Sequence, residues 1–270
     1  MLPAFALIRP RSLSEALSAI SDDDVPYSGG TELLLAMRAG LQRPRALVDL
    51  KAVPELRSIA LLDGGAEGTE LRIGATTTHD ELARDAVVRD SFPMLARVAA
   101  GVGNARVRAQ GTVGGNLCFA EPRSDLVPAL AALDASVVLV GPGGSRRVPV
   151  AEFILGMYWT VREPDELMLE VRVPVRPVRA HYVNLRITER PSVGVAIRVD
   201  ADGRCRLVIA SVGEQPLVLD YDDMHEVDPD AVSAAVEPVP DLTGAEDYKR
   251  HLVAVMIRRA MAELETGKKQ

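Results

Sequence analysis

Residues 106–130 read RVRAQGTVGGNLCFAEPRSDLVPAL. At the centre of this stretch, GTVGGN (111–116) places a Gly-Gly pair between a threonine and an asparagine. Well upstream, YSGGTEL (27–33) sets Thr31 and Glu32 after another such pair. Each glycine costs backbone entropy on folding, so a chain that pairs them twice is bringing bare backbone close to something. In the upstream stretch an extended segment runs into the pair and a short helix is expected over 31–39, stopped by Gly40. Unpaired amides at a helix start, with the helix dipole behind them, favour an anion. The downstream stretch reads as a second turn, offering the Thr112 hydroxyl, the bare amides of Gly114 and Gly115 and the side chain of Asn116. Asp125 adds an acceptor suited to ribose or ribityl hydroxyls. Two readings stand side by side: ordinary tight turns, or two facing loops that hold the phosphates of a pyrophosphate.

Two other glycine stretches are weaker. GVGNAR (101–106) starts like a dinucleotide fingerprint, but Arg106 occupies the place of the third glycine and no strand precedes it. GPGGSR (141–146) lacks the Lys-Ser/Thr of a P-loop and reads as a hairpin turn.

Outward from these loops the pattern is mixed. AFALI (4–8), ALVDL (46–50), LRIGA (71–75), ASVVLVG (135–141) and ELMLEVRVP (166–174) read as strands. Ser12 with Glu15 and Thr78 with Glu81 have the spacing of capping boxes. FPMLARVAAGV (92–102) reads as a helix running into the second glycine turn. Past VPVRPV (173–178), three segments follow with strand character: HYVNLRIT, VGVAIRVD and CRLVIASVG. The last two are joined at Ala201-Asp202-Gly203 as a hairpin. Helices are expected around 229–236 and 245–265, the second with a core-facing stripe of Tyr248, Leu252, Val255, Met256, Arg259 and Met261. The change of texture puts a boundary near 176, with an α+β unit on each side.

The chain has 270 residues and a net charge of −7, which argues against nucleic-acid binding by general electrostatics. Its two cysteines, Cys118 and Cys205, and four scattered histidines have no metal-ligand spacing, so no metal site and no iron–sulfur cluster is expected in this chain. Few cysteines suit a reduced, cytoplasmic setting. The start lacks the basic region of a signal peptide, and no segment has the apolar length of a membrane span. Tyr158 and Trp159 are expected in the core.

The two loops carry a resemblance. GGTEL (29–33), RPRALVDL (43–50) and the long 106–130 stretch are similar to signatures of the flavin-binding (medium) subunit of the molybdenum hydroxylases, the family of xanthine dehydrogenase and aerobic carbon monoxide dehydrogenase. FILGMYWTVREPDELMLEVRVP (153–174) and YVNLRITERPSVGVAI (182–197) resemble later segments of that subunit, so the likeness spans nearly the whole chain. It implies an α+β fold with a two-subdomain FAD-binding unit (PCMH/VAO-like) at 1–175, split at about 55, and a C-terminal α+β domain at 176–270 with a three-stranded antiparallel sheet and helices. It implies FAD held by Tyr27, Ser28, Gly29, Gly30, Thr31, Glu32 and Leu33 on one side. Thr112, Gly115, Asn116, Ser124 and Asp125 would hold it on the other, with the backbone near Val161 or Arg162 approaching the flavin. Gly115→Val would then drive a side chain into the ligand. Arg106 or Arg108 is a candidate for offsetting phosphate charge. The family often has a lysine where this chain has Asn184, an amide that donates a hydrogen bond without positive charge.

The resemblance further implies an oxidoreductase subunit that relays electrons and has no catalytic acid–base pair of its own. Its partners would be a molybdopterin-binding large subunit and a [2Fe-2S] small subunit, as a dimer of heterotrimers, with NAD, a quinone or oxygen as external acceptor. Two rival readings are a stand-alone flavin oxidoreductase and a flavin-less nucleotide-binding or assembly module.

Overall fold

The computed structural model describes residues 2–21, 23–64 and 68–267. Three sheets organise them. The first is parallel: β1 (Ala6–Ile8), β2 (Asp24–Tyr27) and β3 (Ala46–Asp49) lie in the order β1-β3-β2. Parallel neighbours need crossovers, and α1 (Leu13–Ser18) and α2 (Leu33–Arg38) provide them. Ser12 caps α1 by accepting the Glu15 amide. Helix α2 starts two residues later than the pattern suggested, so Thr31 and Glu32 stay outside it.

The second sheet is antiparallel and five-stranded. It contains β4 (Ile59–Asp63), β5 (Thr69–Gly74), β6 (Ser136–Gly141), β7 (Gly144–Pro149) and β10 (Leu167–Pro174), in the order β4-β5-β10-β6-β7. The turn at Gly141–Gly144 is the β6–β7 hairpin expected there. Between β5 and β6 the chain makes a run of short helices: α3 (His79–Arg84), α4 (Ala86–Ser91), α5 (Pro93–Gly101), α6 (Ala105–Gln110), α7 (Val113–Phe119) and α8 (Leu126–Ala132). Thr78 and Glu81 form the full capping box of α3. Helix α5 does not run on into the glycines as expected: α6 intervenes, because Asn104 caps it by accepting the amides of Arg106 and Val107. The second glycine stretch is not a turn either. Gly114 and Gly115 lie in the first turn of α7, capped by Thr112. After β7, α9 (Val150–Phe153) leads into the small ribbon β8 (Ile154–Gly156) and β9 (Trp159–Thr160).

The third sheet corrects the strand count. β11 (Val178–Arg186), β12 (Pro191–Asp200) and β13 (Cys205–Ala210) are joined by a fourth strand, β14 (Leu217–Tyr221). This edge strand is only partly buried, and neither its burial nor its sequence alternates cleanly, so it lacks the period-2 signal. Helices α10 (Pro229–Ala235) and α11 (Glu246–Glu265) pack on this sheet. The buried face of α11 is carried by Lys249, Leu252, Val253, Met256, Ile257, Ala260 and Leu264. Tyr248, Val255 and Arg259, expected in its stripe, are exposed.

The third sheet is fastened to the second through α8. That helix is buried along its whole length, and its cluster takes in Ala196 and Val208 of the third sheet. At its end Asp134, in the left-handed region at φ 53°, pairs with Arg176, Arg198 and Arg206. Arg198 is 5% exposed and also donates to the Ala132 carbonyl at 2.8 Å. Arg198 also pairs with Asp200 at 2.9 Å, so losing Asp134 removes part of the compensation of a buried guanidinium. Asp134→Ala is therefore expected to cost up to about 3 kcal/mol, read as a lower denaturation midpoint. An unchanged midpoint would show that this cluster does not hold the joint.

Candidate functional site

The first loop leaves β2 at Tyr27 and turns at Gly30, whose φ of 69° favours glycine. A Cβ on Gly30 would sit 2.6 Å from the Tyr27 ring. The decisive contact is at Gly29. A Cβ there would lie 2.1 Å from the Gln110 carbonyl oxygen and 2.9 Å from the Gly111 Cα. The bare backbone of the first loop is thus pressed against the entry to the second. Among the described residues no acceptor takes the amides of Gly30, Thr31 and Glu32, and the buried hydroxyl of Ser28 has no partner.

The second stretch differs in kind. Val113 donates its amide to the Thr77 carbonyl, Gly114 to Ala75, and Asn116 to Thr112. Gly115 donates to the Thr112 hydroxyl at 3.1 Å. These amides are spent on the protein. Gly114 is small because α7 lies against the end of β5: a Cβ would meet Ala75 Cβ at 2.7 Å. A Cβ on Gly115 would first meet Thr112 Oγ1, at 2.8 Å, so its first obstacle is the helix cap. What this stretch offers outward is the Asn116 side chain. Asn116 Oδ1 accepts from Ser124 Oγ at 2.7 Å, which orients the amide, and Nδ2 has no partner among the described residues.

Between the two stretches lies a cleft of about 540 Å³, within the range of small-molecule sites. Tyr27, Ser28, Gly29, Gly30, Thr31, Glu32, Leu33, Thr112, Gly115, Asn116 and Arg162 all line it. Ser124, Asp125, Val161 and Asn184 do not. Ser124 holds Asn116, and the Val161 carbonyl accepts from Arg146 at 2.7 Å. Asp125 has both oxygens engaged: Tyr182 and Asn184 donate to Oδ1 and Arg186 pairs with Oδ2. Burial, then the charge of Asp125, pushes the Tyr182 phenol well up, so it remains a donor. Asn184 is thus committed to Asp125. Arg106 and Arg108 are not among the lining residues; Arg108 donates to the carbonyls of Val102 and Gly103.

Several lining residues had no sequence signal. Tyr158, expected in the core, is exposed, as is Trp159. Tyr158 sits at φ 58°, lines the cleft and meets Phe119 edge-on at 5.3 Å. Its hydroxyl donates to Glu121 at 2.9 Å. Arg190, in the β11–β12 connection, donates to both oxygens of Glu32 at 2.8 and 2.9 Å and lies 3.4 Å from Glu121. Contacts between residues so far apart in sequence leave no local pattern to read. Cys118 also lines the cleft, but burial pushes its thiol up to about 11, so it is no nucleophile at neutral pH. Among the described residues no group of His, Cys, Asp and Glu is arranged to hold a metal.

Residues 3–176 match the family described as the FAD binding domain in molybdopterin dehydrogenase. The chain belongs to that family. It is 30% identical over 281 residues to the carbon monoxide dehydrogenase medium chain of Hydrogenophaga pseudoflava, covering 96% of each chain. The xanthine dehydrogenase FAD-binding subunit of Escherichia coli O157:H7 is 24% identical, with 94% of each covered. In three dimensions it is similar to a chain of quinoline 2-oxidoreductase from Pseudomonas putida 86, with a TM-score of 0.88, 25% identity and 99% of each chain covered.

The contact at Gly29 gives a test. Gly29→Ala forces the Gln110–Gly111 backbone to move and is expected to destabilise the fold by roughly 1–3 kcal/mol. Gly115→Ala disturbs only a cap and should cost about 1 kcal/mol or less. Thermal or chemical unfolding ranks the pair, and the reverse order would contradict the packing described.

Proposed function

We propose that this chain is the FAD-carrying electron-transfer subunit of a molybdenum hydroxylase and that the cleft between its glycine stretches holds the FAD. The observation that carries the placement is the imbalance of hydrogen bonding. One side of the cleft has free backbone amides and an unpartnered buried serine; the other has a pre-oriented asparagine. A buried hydroxyl such as that of Ser28 is rarely left unpaired, and a phosphate- and hydroxyl-rich ligand supplies it with a partner and the loop amides with acceptors. These residues fit FAD.

Their roles follow from what each presents. The amides of Gly30, Thr31 and Glu32 would bind the diphosphate, with the Ser28 hydroxyl beside them. Asn116 would orient a neighbouring part of the dinucleotide from the opposite wall, with Thr112 and Gly115 shaping the space around it. Arg162 brings a positive charge to the lining, although its Nη1 also donates to the Glu163 and Glu166 carbonyls. Tyr158 closes one side with an aromatic face. Ser124 acts from behind by holding Asn116, whereas the side chains of Asp125 and Asn184 and the Val161 carbonyl are bound to residues outside the lining. Bound FAD supplies the redox chemistry, accepting electrons and releasing them to an acceptor. Protein side chains need supply only binding, orientation and shelter from water.

The assignment makes the chain one member of an oxidoreductase complex with a molybdenum-containing large subunit and an iron–sulfur small subunit. We place it in a dimer of heterotrimers in the cytoplasm, with NAD, a quinone or oxygen as acceptor. No described helix is long and apolar enough to cross a membrane. The domain division that suits this role is a PCMH/VAO-like FAD-binding unit at 1–175 and a C-terminal unit at 176–270. The gap between the end of β10 at Pro174 and the start of β11 at Val178 supports it.

The test is flavin content. The protein, alone or with its partner chains, should retain stoichiometric FAD through gel filtration, with a visible flavin band that bleaches on reduction. A folded, fully assembled complex without flavin in this chain would overturn the proposal.

A further inference from the structure

His79 plays no part in the reading above. It is the first residue of α3, directly after the Thr78 capping box. Its backbone is fixed: the His79 amide donates to the Gly111 carbonyl at 3.0 Å, and Thr78 bridges to Thr112. The side chain is 2% exposed and lines the cleft. Its Nδ1 is buried and has no hydrogen-bond partner among the described residues. A Cβ on Gly111 would sit 3.0 Å from the imidazole Cδ2 and 3.2 Å from Nε2, so the missing side chain at 111 makes room for the ring.

The only other cleft-lining residue with such an orphaned atom, among the described residues, is Ser28. The two stand on either side of one seam. Gly29, next to Ser28, presses on Gln110–Gly111 from the first loop, and the His79 ring lies against Gly111 from α3. Two cleft-lining residues each carry a buried polar atom without a partner, and the Cδ2–Nε2 edge of the His79 ring lies at the seam beside the first loop, which indicates a ligand with polar groups at that place.

We propose that His79 is a binding residue of this cleft, whose imidazole hydrogen-bonds a phosphate or hydroxyl oxygen of the bound dinucleotide beside Ser28. The assignment rests on the FAD reading of the cleft. Burial, and then the nearby charge of Arg108, pull the imidazole of the protein alone down to about 4, which favours the neutral ring with one donor and one acceptor nitrogen. A ring held from its backbone and enclosed by Gly111 is already oriented, so binding loses little side-chain freedom.

The experiment compares FAD affinity in flavin-free wild type, His79→Leu and His79→Gln, titrated by flavin fluorescence, with thermal unfolding of each apoprotein alongside. His79→Leu keeps volume and removes the hydrogen bond; its Kd for FAD should rise roughly tenfold. His79→Gln restores an amide donor and acceptor and should recover most of that loss. A residue that merely packs would change unfolding temperature in both variants and leave Kd unmoved, and that result overturns the proposal. Should His79→Leu fail to fold, NMR of the wild-type ring decides. The His79 ring nitrogens should shift on adding FAD, and unmoved resonances at saturation overturn the assignment. A folded wild-type complex that takes up no FAD overturns the functional reading and this assignment together.

Discussion

The backbone of Gly29 approaches the Gln110 carbonyl so closely that not one carbon atom fits between them. Much of the site depends on that contact. It brings a loop of the parallel sheet against the helical run of the antiparallel sheet, and the cleft opens beside the joint. The same contact explains why the two glycine pairs, so alike in sequence, do different work. The upstream pair makes the seam and turns the chain so that amides are left free. The downstream pair lets α7 pack against the end of β5, with its amides consumed by Thr112 and the residues leading into α3.

Charge holds the third sheet to this arrangement at three places, one of them the pair of Arg186 with Asp125. Asp134 collects three arginines at the end of α8. Arg190 reaches from the β11–β12 connection to Glu32 on the first loop and toward Glu121, which also takes the Tyr158 hydroxyl. Glu32 and Glu121 are thus both paired with an arginine from another part of the chain. Glu121 remains ionised: burial raises it, but Arg190, Tyr158 and Arg123 outweigh that and hold it below the usual carboxylate range.

Much of this was legible in the sequence. Periodicity located the long strands and α11, capping residues located α1 and α3, and the loop signatures identified the family. Most of the residues expected at the cofactor line the cleft. The failures share a cause, which is competition from tertiary contacts that a local pattern does not encode. Gly-Gly at 114–115 looks like a turn until the strand end beside it shows why a helix needs glycine there. Asp125 looks like a free acceptor until Tyr182, Asn184 and Arg186, far along the chain, occupy it. β14 carries no alternation because it is a partly covered edge. Tyr158, Arg190 and His79 had no signal, since their roles come from where the chain returns in space.

The central claim is the asymmetry of the cleft, with free amides on the first loop and satisfied ones on the second. Amide hydrogen exchange with and without FAD measures it directly. The account predicts that the amides of Gly30, Thr31 and Glu32 exchange readily in the flavin-free protein and become strongly protected when FAD binds. Those of Val113 to Asn116 should be protected in both states. Protection gained mainly at 113–116, with 30–32 unchanged, would contradict it.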